Sequence, residues 1–299
     1  MSLAPTTASP RVWLAAARPP TLPAALAPVL LGTALAGAFV PWRMLAALTV
    51  ALAFQVGVNY ANDYFDGVGG IDTADRVGPR RAVASGLVTP SAMRTAMTLA
   101  FAVALAAGLA LTVAVGPELL FVGFACLLAA LGYSGGPRPY ASAGLGEVFV
   151  FLTFGLAATA GSAYVQDPGL SPAVWPAAAA MGLLASALLM VNNVRDLPTD
   201  AAVGKRTLAV RLGDRAARRL YALFILGAFV LLAVAAPLGA GPGVLAGLLA
   251  APLAFAPLAA VRGGAQGLDL LPPLRATGRV QLVAALAASL GVVWVGWGA

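Results

Sequence analysis

Two clusters of acidic and amide side chains carry most of the chemistry available to this sequence. The first cluster pairs Asn62 with Asp66, and the second pairs Asn192 with Asp196 and continues to Asp200. Residues four apart lie on the same side of a helix, so each cluster would present one acidic stripe. Solvated loops would not need the same spacing twice, and the repetition therefore indicates a shared binding role.

The types of ligand in these clusters favour a hard cation bound together with phosphate. The sequence contains no histidine, and Cys126 is its only cysteine, which we interpret as a small buried hydrophobic residue. Oxygen ligands without imidazole or thiolate select Mg²⁺, which usually keeps substrate phosphates among its ligands. We therefore predict that two Mg²⁺ ions, one at each cluster, hold a single diphosphate between them.

Basic residues follow each cluster and could neutralise the charge of that diphosphate. They are Arg76, Arg80 and Arg81 after the first cluster, and Lys205, Arg206 and Arg211 after the second. The alternative is that these cations only fix the orientation of the chain in a membrane. A third loop, residues 133–140, contains Gly-Gly-Pro, which is typical of a tight turn. Tyr133 and Arg138 of that loop would lie level with the clusters, where a phenol and a cation could contact substrate.

The overall composition shows which kind of element must position these side chains. Apolar residues make up 61% of the chain, charged residues only 10%, and the mean hydropathy is +0.91. A soluble domain carries about a quarter charged residues, so most of this surface must face lipid. A transmembrane helix needs about 20 apolar residues. Nine segments of that kind lie near residues 21–40, 43–62, 92–115, 117–133, 144–165, 173–192, 216–236, 242–262 and 278–298.

The links between these spans predict the orientation of the chain. Short and long links alternate, so the long links and the N-terminus all lie on one side of the membrane. Of the 18 Lys and Arg residues, only Arg43 falls on the short-link side. Because basic residues are retained in the cytoplasm, the N-terminus and the polar loops should be cytoplasmic in a bacterial-type inner membrane. The net charge of +7 is then a topology signal, and no nucleic-acid partner is expected.

The two clusters also suggest an internal duplication. They begin at the ends of the second and sixth predicted spans, which run in the same direction because they are four spans apart. We predict one all-α membrane domain over residues 1–299, built from two parallel pseudo-repeats and a ninth helix. The repeats would cover about residues 20–133 and 144–262. Arg18, together with Trp13, fits an interfacial helix that leads into the first span.

If the diphosphate belongs to a prenyl substrate, this arrangement could transfer the prenyl group inside the bilayer. A prenyl chain belongs in the apolar interior, while Mg²⁺ and arginine would stabilise the departing diphosphate. The remaining allylic cation could be shielded by aromatic faces such as those of Tyr60, Tyr64, Phe149 or Tyr164. The cation would then alkylate an electron-rich ring. With no histidine in the chain, an aspartate is the expected protein base.

These motifs resemble those of the UbiA superfamily of intramembrane prenyltransferases. The matching motifs are Asn-Asp-x-x-Asp at residues 62–66 and Asn-Asn-x-x-Asp-x-x-x-Asp at residues 192–200. Within that superfamily the chain is most similar to the branch that prenylates 1,4-dihydroxy-2-naphthoate in menaquinone synthesis. The segments that carry this closer similarity are residues 17–23, 62–67, 76–81, 133–137, 144–147, 192–196 and 204–213.

The resemblance implies a single bundle with a central cavity, Mg²⁺-dependent transfer from a polyprenyl diphosphate to an aromatic acid, and loss of the acceptor's carboxylate. The predicted catalytic residues are Asp66, Asp72, Asp196, Asp200 and Tyr133. The predicted Mg²⁺ ligands are Asn62, Asp66, Asp72, Asn192, Asp196 and Asp200. The implied substrate contacts are Arg18, Asn62, Asp63, Arg80, Arg81, Arg138, Asn192, Lys205 and Arg206. The superfamily pattern expects an aspartate four residues after Asp66, where this chain has Gly70, so Asp72 or Asp75 must take that role.

Two alternatives remain at this point. Another member of the superfamily could prenylate 4-hydroxybenzoate, homogentisate or haem, because the choice of acceptor depends on a few contacts. A secondary transporter could also have repeated halves and an acidic cation site. Its acidic residues should lie near the middle of the bilayer, whereas these lie at helix ends on one face.

Overall fold

The protein is a bundle of helices, and the computed structural model describes residues 8–71, 78 and 80–297. No β-strand occurs in these ranges. The helices are α1 (Pro10–Ala16), α2 (Pro23–Ala34), α3 (Pro41–Val68), α4 (Pro90–Val115), α5 (Glu118–Ser134), α6 (Gly146–Gln166), α7 (Val174–Ala202), α8 (Leu208–Leu212), α9 (Asp214–Ala240), α10 (Pro242–Arg262) and α11 (Leu271–Trp297). The sequence-based prediction of an all-α membrane protein is confirmed.

Seven helices of the described chain are long and apolar enough to cross a bilayer. These are α3, α4, α6, α7, α9, α10 and the helix that contains α11. An eighth span is possible if α1 and α2, which meet at a bend of 52°, cross the membrane together. The α5 helix is apolar but has only 17 residues. The presence of nine membrane spans therefore stays a prediction.

The first predicted span differs from the structure in shape. The expected span 21–40 contains only the helix α2, which ends at Ala34. Before it, the chain bends through a short 3₁₀ turn at Pro19–Thr21. Consecutive prolines supply no backbone N–H and cannot continue the preceding helix, which explains the bend. Arg18 begins this turn with φ of 51° and ψ of 68°, a left-handed conformation that is uncommon for a residue with a side chain.

The two helices that carry the acidic clusters extend beyond their predicted spans. The α3 helix continues past residue 62 to Val68, and α7 continues past residue 192 to Ala202. Hydropathy marks where apolar residues end, whereas the helical hydrogen bonds continue through the polar residues that follow. Both stripes consequently lie on the last turns of helices, as their spacing predicted.

The α7 helix lies at the centre of the bundle. Ala177, Ala180, Met181 and Leu184 on this helix are fully buried. Small residues let a neighbouring helix approach closely. At the crossing of α6 and α7, a Cβ atom on Gly155 would overlap the backbone of Gly182. This tight contact fixes the position of α7, and therefore of the second cluster.

Candidate active site

One cavity of the described chain receives side chains from both acidic clusters. Its wall contains Asn62 and Asp66 from α3, and Asn192, Asp196 and Asp200 from α7. Three cations from separate segments, Arg18, Arg81 and Lys205, line the same cavity. Tyr133, at the end of α5, also contributes. The structure thus brings together most of the residues that the sequence singled out.

Lys205, which follows the second cluster in the chain, contacts the first cluster directly. Its Nζ atom lies 3.3 Å from Asp66 Oδ2, across 139 positions of the chain. The other oxygen, Asp66 Oδ1, is buried and has no hydrogen-bond partner among the described residues. A buried carboxylate oxygen without a partner is costly, so this atom is well suited to bind a cation.

Asp196 forms a buried ion pair with its neighbour in the chain, Arg195. The neighbouring Arg195 donates from Nε to Asp196 Oδ1 at 2.7 Å and from Nη2 to Oδ2 at 2.6 Å. Both side chains are buried, with 4% and 7% of their surfaces exposed. Charged, two-point hydrogen bonds of this kind are short and strongly directional. A cation that binds Asp196 must therefore share the carboxylate with Arg195, a residue that the sequence did not single out.

Asp63, a predicted substrate contact, is held by two backbone hydrogen bonds. This residue does not line the cavity, and only 1% of its surface is exposed. Its Oδ1 accepts a hydrogen bond from the backbone N–H of Val83 at 2.8 Å, and its Oδ2 accepts one from that of Ala82 at 3.0 Å. Because both carboxylate oxygens accept backbone hydrogen bonds, Asp63 anchors the segment that carries Arg81.

Other predicted residues lie away from the cavity or outside the described ranges. Arg80, Arg138 and Arg206 are exposed and do not line the cavity. Arg80 precedes Arg81, and Arg206 follows Lys205, so in these two loops neighbouring residues differ in whether they line the cavity. Asp72, the predicted third ligand of the first cluster, lies outside the described residues, as does its alternative Asp75.

The polar stripe on α3 reaches deeper than the sequence analysis proposed. Gln55 and Asn59 also line the cavity. Gln55 Nε2 donates to Thr21 Oγ1 at 3.0 Å, and Asn59 Nδ2 donates to the backbone oxygen of Ala17 at 2.8 Å. These bonds connect α3 to the bend between α1 and α2, where Arg18 lies. Polar residues inside an apolar span are functional candidates in themselves, and that signal was available in the sequence.

The aromatic wall of the cavity includes Tyr133, as the sequence predicted, but none of the four rings proposed to shield the allylic cation. It contains Phe54, Tyr133, Tyr140 and Phe154. Tyr60 and Tyr64 instead pack against a separate apolar cluster, and the Tyr164 hydroxyl donates to Glu118. Phe149 stacks on Tyr140 from outside the lining, with ring centroids 4.1 Å apart.

Tyr140 is fixed as a neutral ring in this wall. Its hydroxyl donates to the backbone oxygen of Ala129 at 2.6 Å. Burial raises the pKa of this loop residue above its ordinary value, because the phenolate would be poorly solvated. Tyr140 therefore contributes an aromatic edge or face to the cavity and no proton acceptor.

Glu147 is a further buried acid that the sequence did not assign to the site. It has 3% of its surface exposed, and its Oε1 accepts a hydrogen bond from Asn193 Nδ2 at 2.9 Å. Its Oε2 is buried and has no hydrogen-bond partner in the described part of the chain. Asn193 lines the cavity, whereas Glu147 lies behind it.

The donor set fits Mg²⁺ that is bound together with a phosphate ligand. Within the described residues, no group of three or more His, Cys, Asp or Glu side chains could hold a metal ion alone. Asp66 Oδ1 nevertheless lacks a partner there, and the Asn62 and Asn192 side chains of the same stripes line the cavity. Mg²⁺ typically takes one or two carboxylates and completes its ligands with water and substrate phosphate.

Comparison with known proteins identifies the family of this chain. The sequence profile described as "UbiA prenyltransferase family" matches residues 25–264. The chain is 46% identical over 278 residues to 1,4-dihydroxy-2-naphthoate octaprenyltransferase of Mycobacterium tuberculosis, covering 92% of this chain and 94% of that protein. It is 44% identical over 234 residues to the protein of the same name from Escherichia coli, covering 75% and 76%.

Solved structures share the fold at lower sequence identity. A UbiA homologue from Archaeoglobus fulgidus bound to GPP and Mg²⁺ superposes with a TM-score of 0.71. The two chains are 17% identical, and the match covers 95% of this chain and 99% of the other. A UbiA homologue from Aeropyrum pernix K1 gives a TM-score of 0.65 at 16% identity, covering 93% and 97%.

Proposed function

Because this chain belongs to the UbiA prenyltransferase family, we propose that it transfers a polyprenyl group from its diphosphate to 1,4-dihydroxy-2-naphthoate, with Mg²⁺ and with loss of the acceptor's carboxylate. The protein is an integral membrane transferase. The observation that carries the proposed chemistry is the single cavity that receives both acidic clusters, three cations and an aromatic wall. The proposed acceptor rests on the relatives that bear its name.

The polar side of the cavity would bind the diphosphate. Arg18, Arg81 and Lys205 supply positive charge there. The residues proposed to hold Mg²⁺ are Asn62, Asp66, Asn192, Asp196 and Asp200. When bound, Mg²⁺ adds positive charge that stabilises the departing diphosphate. Lys205 would exchange its contact with Asp66 for one with phosphate, which leaves both oxygens of Asp66 available as ligands.

The aromatic side of the cavity would receive the prenyl group. The C–O bond between the allylic carbon and diphosphate breaks, and the bonding electrons leave with the diphosphate. Tyr133, Tyr140 and Phe154 surround the resulting cation with aromatic faces and edges. The acceptor carbon that carries the carboxylate forms the new C–C bond, and its bond to the carboxylate then breaks to release CO₂. An aspartate of the clusters is the proposed acceptor for a hydroxyl proton while the C–C bond forms, and it returns that proton to the ring oxygen when CO₂ leaves.

We also propose the topology predicted from charge and hydropathy. Nine spans would place the N-terminus and the mouth of the cavity in the cytoplasm. The clusters at the ends of α3 and α7 would then meet a diphosphate supplied from the cytoplasm. Two parallel pseudo-repeats would account for the matching Asn-x-x-x-Asp spacing on these helices.

A direct assay tests the proposed function. Purified protein in lipid nanodiscs would be incubated with a polyprenyl diphosphate, Mg²⁺ and separate aromatic acids, namely 1,4-dihydroxy-2-naphthoate, 4-hydroxybenzoate and homogentisate. We expect a prenylated product only from the naphthoate, with a mass that shows loss of CO₂. EDTA should abolish product formation, and added Mg²⁺ should restore it. Prenylation of a different acid alone would refute the proposed acceptor, and no product from any of them would refute the proposed reaction.

The transporter alternative is less well supported. Family membership favours a transferase, and Asp66 and Asp196 lie on the final turns of their helices, away from the middle of the spans. A transporter would also have no use for the cations that line the same cavity.

A further inference from the structure

We infer that Glu147 and Asn193 form an acceptor subsite, in which Glu147 orients the Asn193 amide so that its carbonyl oxygen receives a hydroxyl hydrogen of the aromatic substrate. The inference rests on the proposed function and specifies how the acceptor ring is recognised. It concerns residues other than the acidic clusters and the cations that bind diphosphate.

Glu147 is held against α7 by two hydrogen bonds. Its backbone oxygen accepts a hydrogen bond from Ser186 Oγ at 3.0 Å, and its side chain accepts one from Asn193 at 2.9 Å. Ser186 and Asn193 are seven residues apart, two turns of α7, and therefore lie on the same face of that helix. Glu147 is thus attached to α7 at two points, which defines where its carboxylate lies.

The hydrogen bond to Glu147 orients the Asn193 amide. An asparagine side chain has two donor hydrogens on nitrogen and one acceptor oxygen on the opposite side. Because Nδ2 donates to Glu147, the carbonyl oxygen is the hydrogen-bond acceptor that Asn193 can offer to the cavity it lines. An acceptor oxygen recognises a donor, and a phenolic or naphtholic hydroxyl is such a donor.

Tyr133 and Tyr140 form an aromatic surface near the turn of α6 that carries Glu147. A Cβ atom on Gly146, the residue before Glu147, would lie 3.5 Å from Tyr133 Cε2. Tyr133 therefore lies directly against the same turn of α6 that carries Glu147, and it meets Tyr140 edge-on at 5.5 Å between ring centroids. A flat ring could pack on these side chains while its hydroxyl reaches Asn193.

Glu147 is buried although it carries an acidic group. Glu147 is 3% exposed, and one of its carboxylate oxygens has no hydrogen-bond partner among the described residues. A buried acid with an unsatisfied oxygen costs stability, and an apolar residue would avoid this cost. Orientation of a substrate-binding amide explains why an acid at this position would be advantageous.

The test compares acceptors that differ by one hydroxyl group. Dissociation constants of the protein in nanodiscs would be measured for 1,4-dihydroxy-2-naphthoate, 1-hydroxy-2-naphthoate and 4-hydroxy-2-naphthoate. We expect the wild-type protein to bind one of the two monohydroxy compounds about tenfold more weakly, as expected for one lost hydrogen bond. In Asn193→Ala and in Glu147→Met, the dissociation constants of that monohydroxy compound and of 1,4-dihydroxy-2-naphthoate should differ by less than about twofold. We call the wild-type difference the hydroxyl preference. KM for the polyprenyl diphosphate should stay unchanged in both variants.

Two further variants separate this role from a loss of folding. The double variant Glu147→Met with Asn193→Leu leaves no buried partner unsatisfied, so it should fold and still lack the preference. Gln281→Leu is the matched control, because Gln281 is a fully buried amide that donates to the Met181 backbone oxygen of α7 at 3.2 Å outside the cavity. This control should lower thermal stability and keep the tenfold preference.

The outcomes distinguish the subsite from the proposed reaction. If the wild-type protein prenylates the naphthoate but Asn193→Ala keeps the full hydroxyl preference, the subsite is wrong and the proposed function stands. Equal binding of all three compounds by the wild-type protein leads to the same conclusion. If the wild-type protein prenylates no aromatic acid, the proposed function fails, and the subsite loses its ligand with it.

Discussion

Two aspartates three positions apart on α3 show how position decides the role of a residue. Asp63 and Asp66 are both buried, with 1% and 2% of their surfaces exposed. The oxygens of Asp63 accept two backbone hydrogen bonds, whereas Asp66 faces the cavity and contacts Lys205. The first therefore stabilises the structure, and the second is available to a ligand.

This contrast gives a matched pair of substitutions. Asp63→Asn replaces one acceptor oxygen by an NH₂ group opposite a backbone N–H, which should lower the free energy of unfolding by about 1–3 kcal/mol. Asp66→Asn keeps the shape of the side chain but weakens cation binding, and we expect prenyl transfer to fall about 100-fold or more. Thermal unfolding and initial rates with saturating Mg²⁺ would be measured for both variants. Full activity in Asp66→Asn would contradict its assignment as a ligand.

Asp196 permits a second test of the same mechanism. Asp196→Ala removes a proposed ligand and leaves the buried Arg195 guanidinium without its two-point partner, so activity and stability should both fall. The double variant Asp196→Asn with Arg195→Gln removes both charges, and we expect it to recover stability but not prenyl transfer. If this double variant were active, Asp196 would not be required for catalysis.

At the scale of helices, glycine contacts set the distance between α6 and α7. Gly155 lies in a π-helical stretch of α6, Phe151–Ala157, where the crossing with Gly182 leaves no room for a Cβ atom. In Gly155→Ala, overpacking should lower the free energy of unfolding by about 1–3 kcal/mol. Gly161 on the same helix has open space around it, so Gly161→Ala should be neutral or stabilising by up to about 1 kcal/mol. Denaturant titration in detergent compares the two, and equal losses would argue against the close crossing.

A buried arginine connects α9 to the end of α10. Arg218 Nη1 donates to the Val261 backbone oxygen at 2.6 Å, and Nη2 donates to that of Ala265 at 2.9 Å. The last carbonyls of a helix have no partner within the helix, so this guanidinium replaces the missing donors.

Substitution of this arginine should affect stability more than catalysis. We expect Arg218→Met to lower the free energy of unfolding by about 3 kcal/mol. Prenyl transfer should stay normal below the melting temperature, because Arg218 does not line the cavity. Asp214, the ion-pair partner of Arg218, is 54% exposed, and Asp214→Asn should cost no more than about 1 kcal/mol. Thermal unfolding of both variants tests this difference, and similar values would show that the surface ion pair dominates.

At the scale of the whole molecule, the orientation in the membrane is testable with single cysteines. In a Cys126→Ala background, Arg138→Cys places a thiol in the exposed loop after α5, and Pro168→Cys places one in the exposed link after α6. We expect a membrane-impermeant maleimide added to intact cells to label only the Pro168 variant. Inverted vesicles should show the reverse, because the Arg138 loop is predicted to be cytoplasmic. Labelling of both variants from one side would contradict the alternation of short and long links.

The sequence by itself determined the class of protein and the chemistry of its site. Composition required lipid as the solvent, because so few charged residues cannot cover a soluble surface. The repeated Asn-x-x-x-Asp spacing identified two stripes of amide and carboxylate side chains, because helical geometry fixes which neighbours share a face. These inferences depend only on local order along the chain, which the sequence contains in full.

Only the tertiary structure decided which side chains meet in the cavity. Asp66, Gln55, Asn59 and Asn193 line the cavity, whereas Asp63 and Arg80 do not. Glu147 lies behind the wall, where it accepts a hydrogen bond from Asn193. Contacts such as Lys205 with Asp66 join residues far apart in the chain, and their distances depend on how the helices cross. Local patterns fix the face of a helix, but helix packing determines what that face touches.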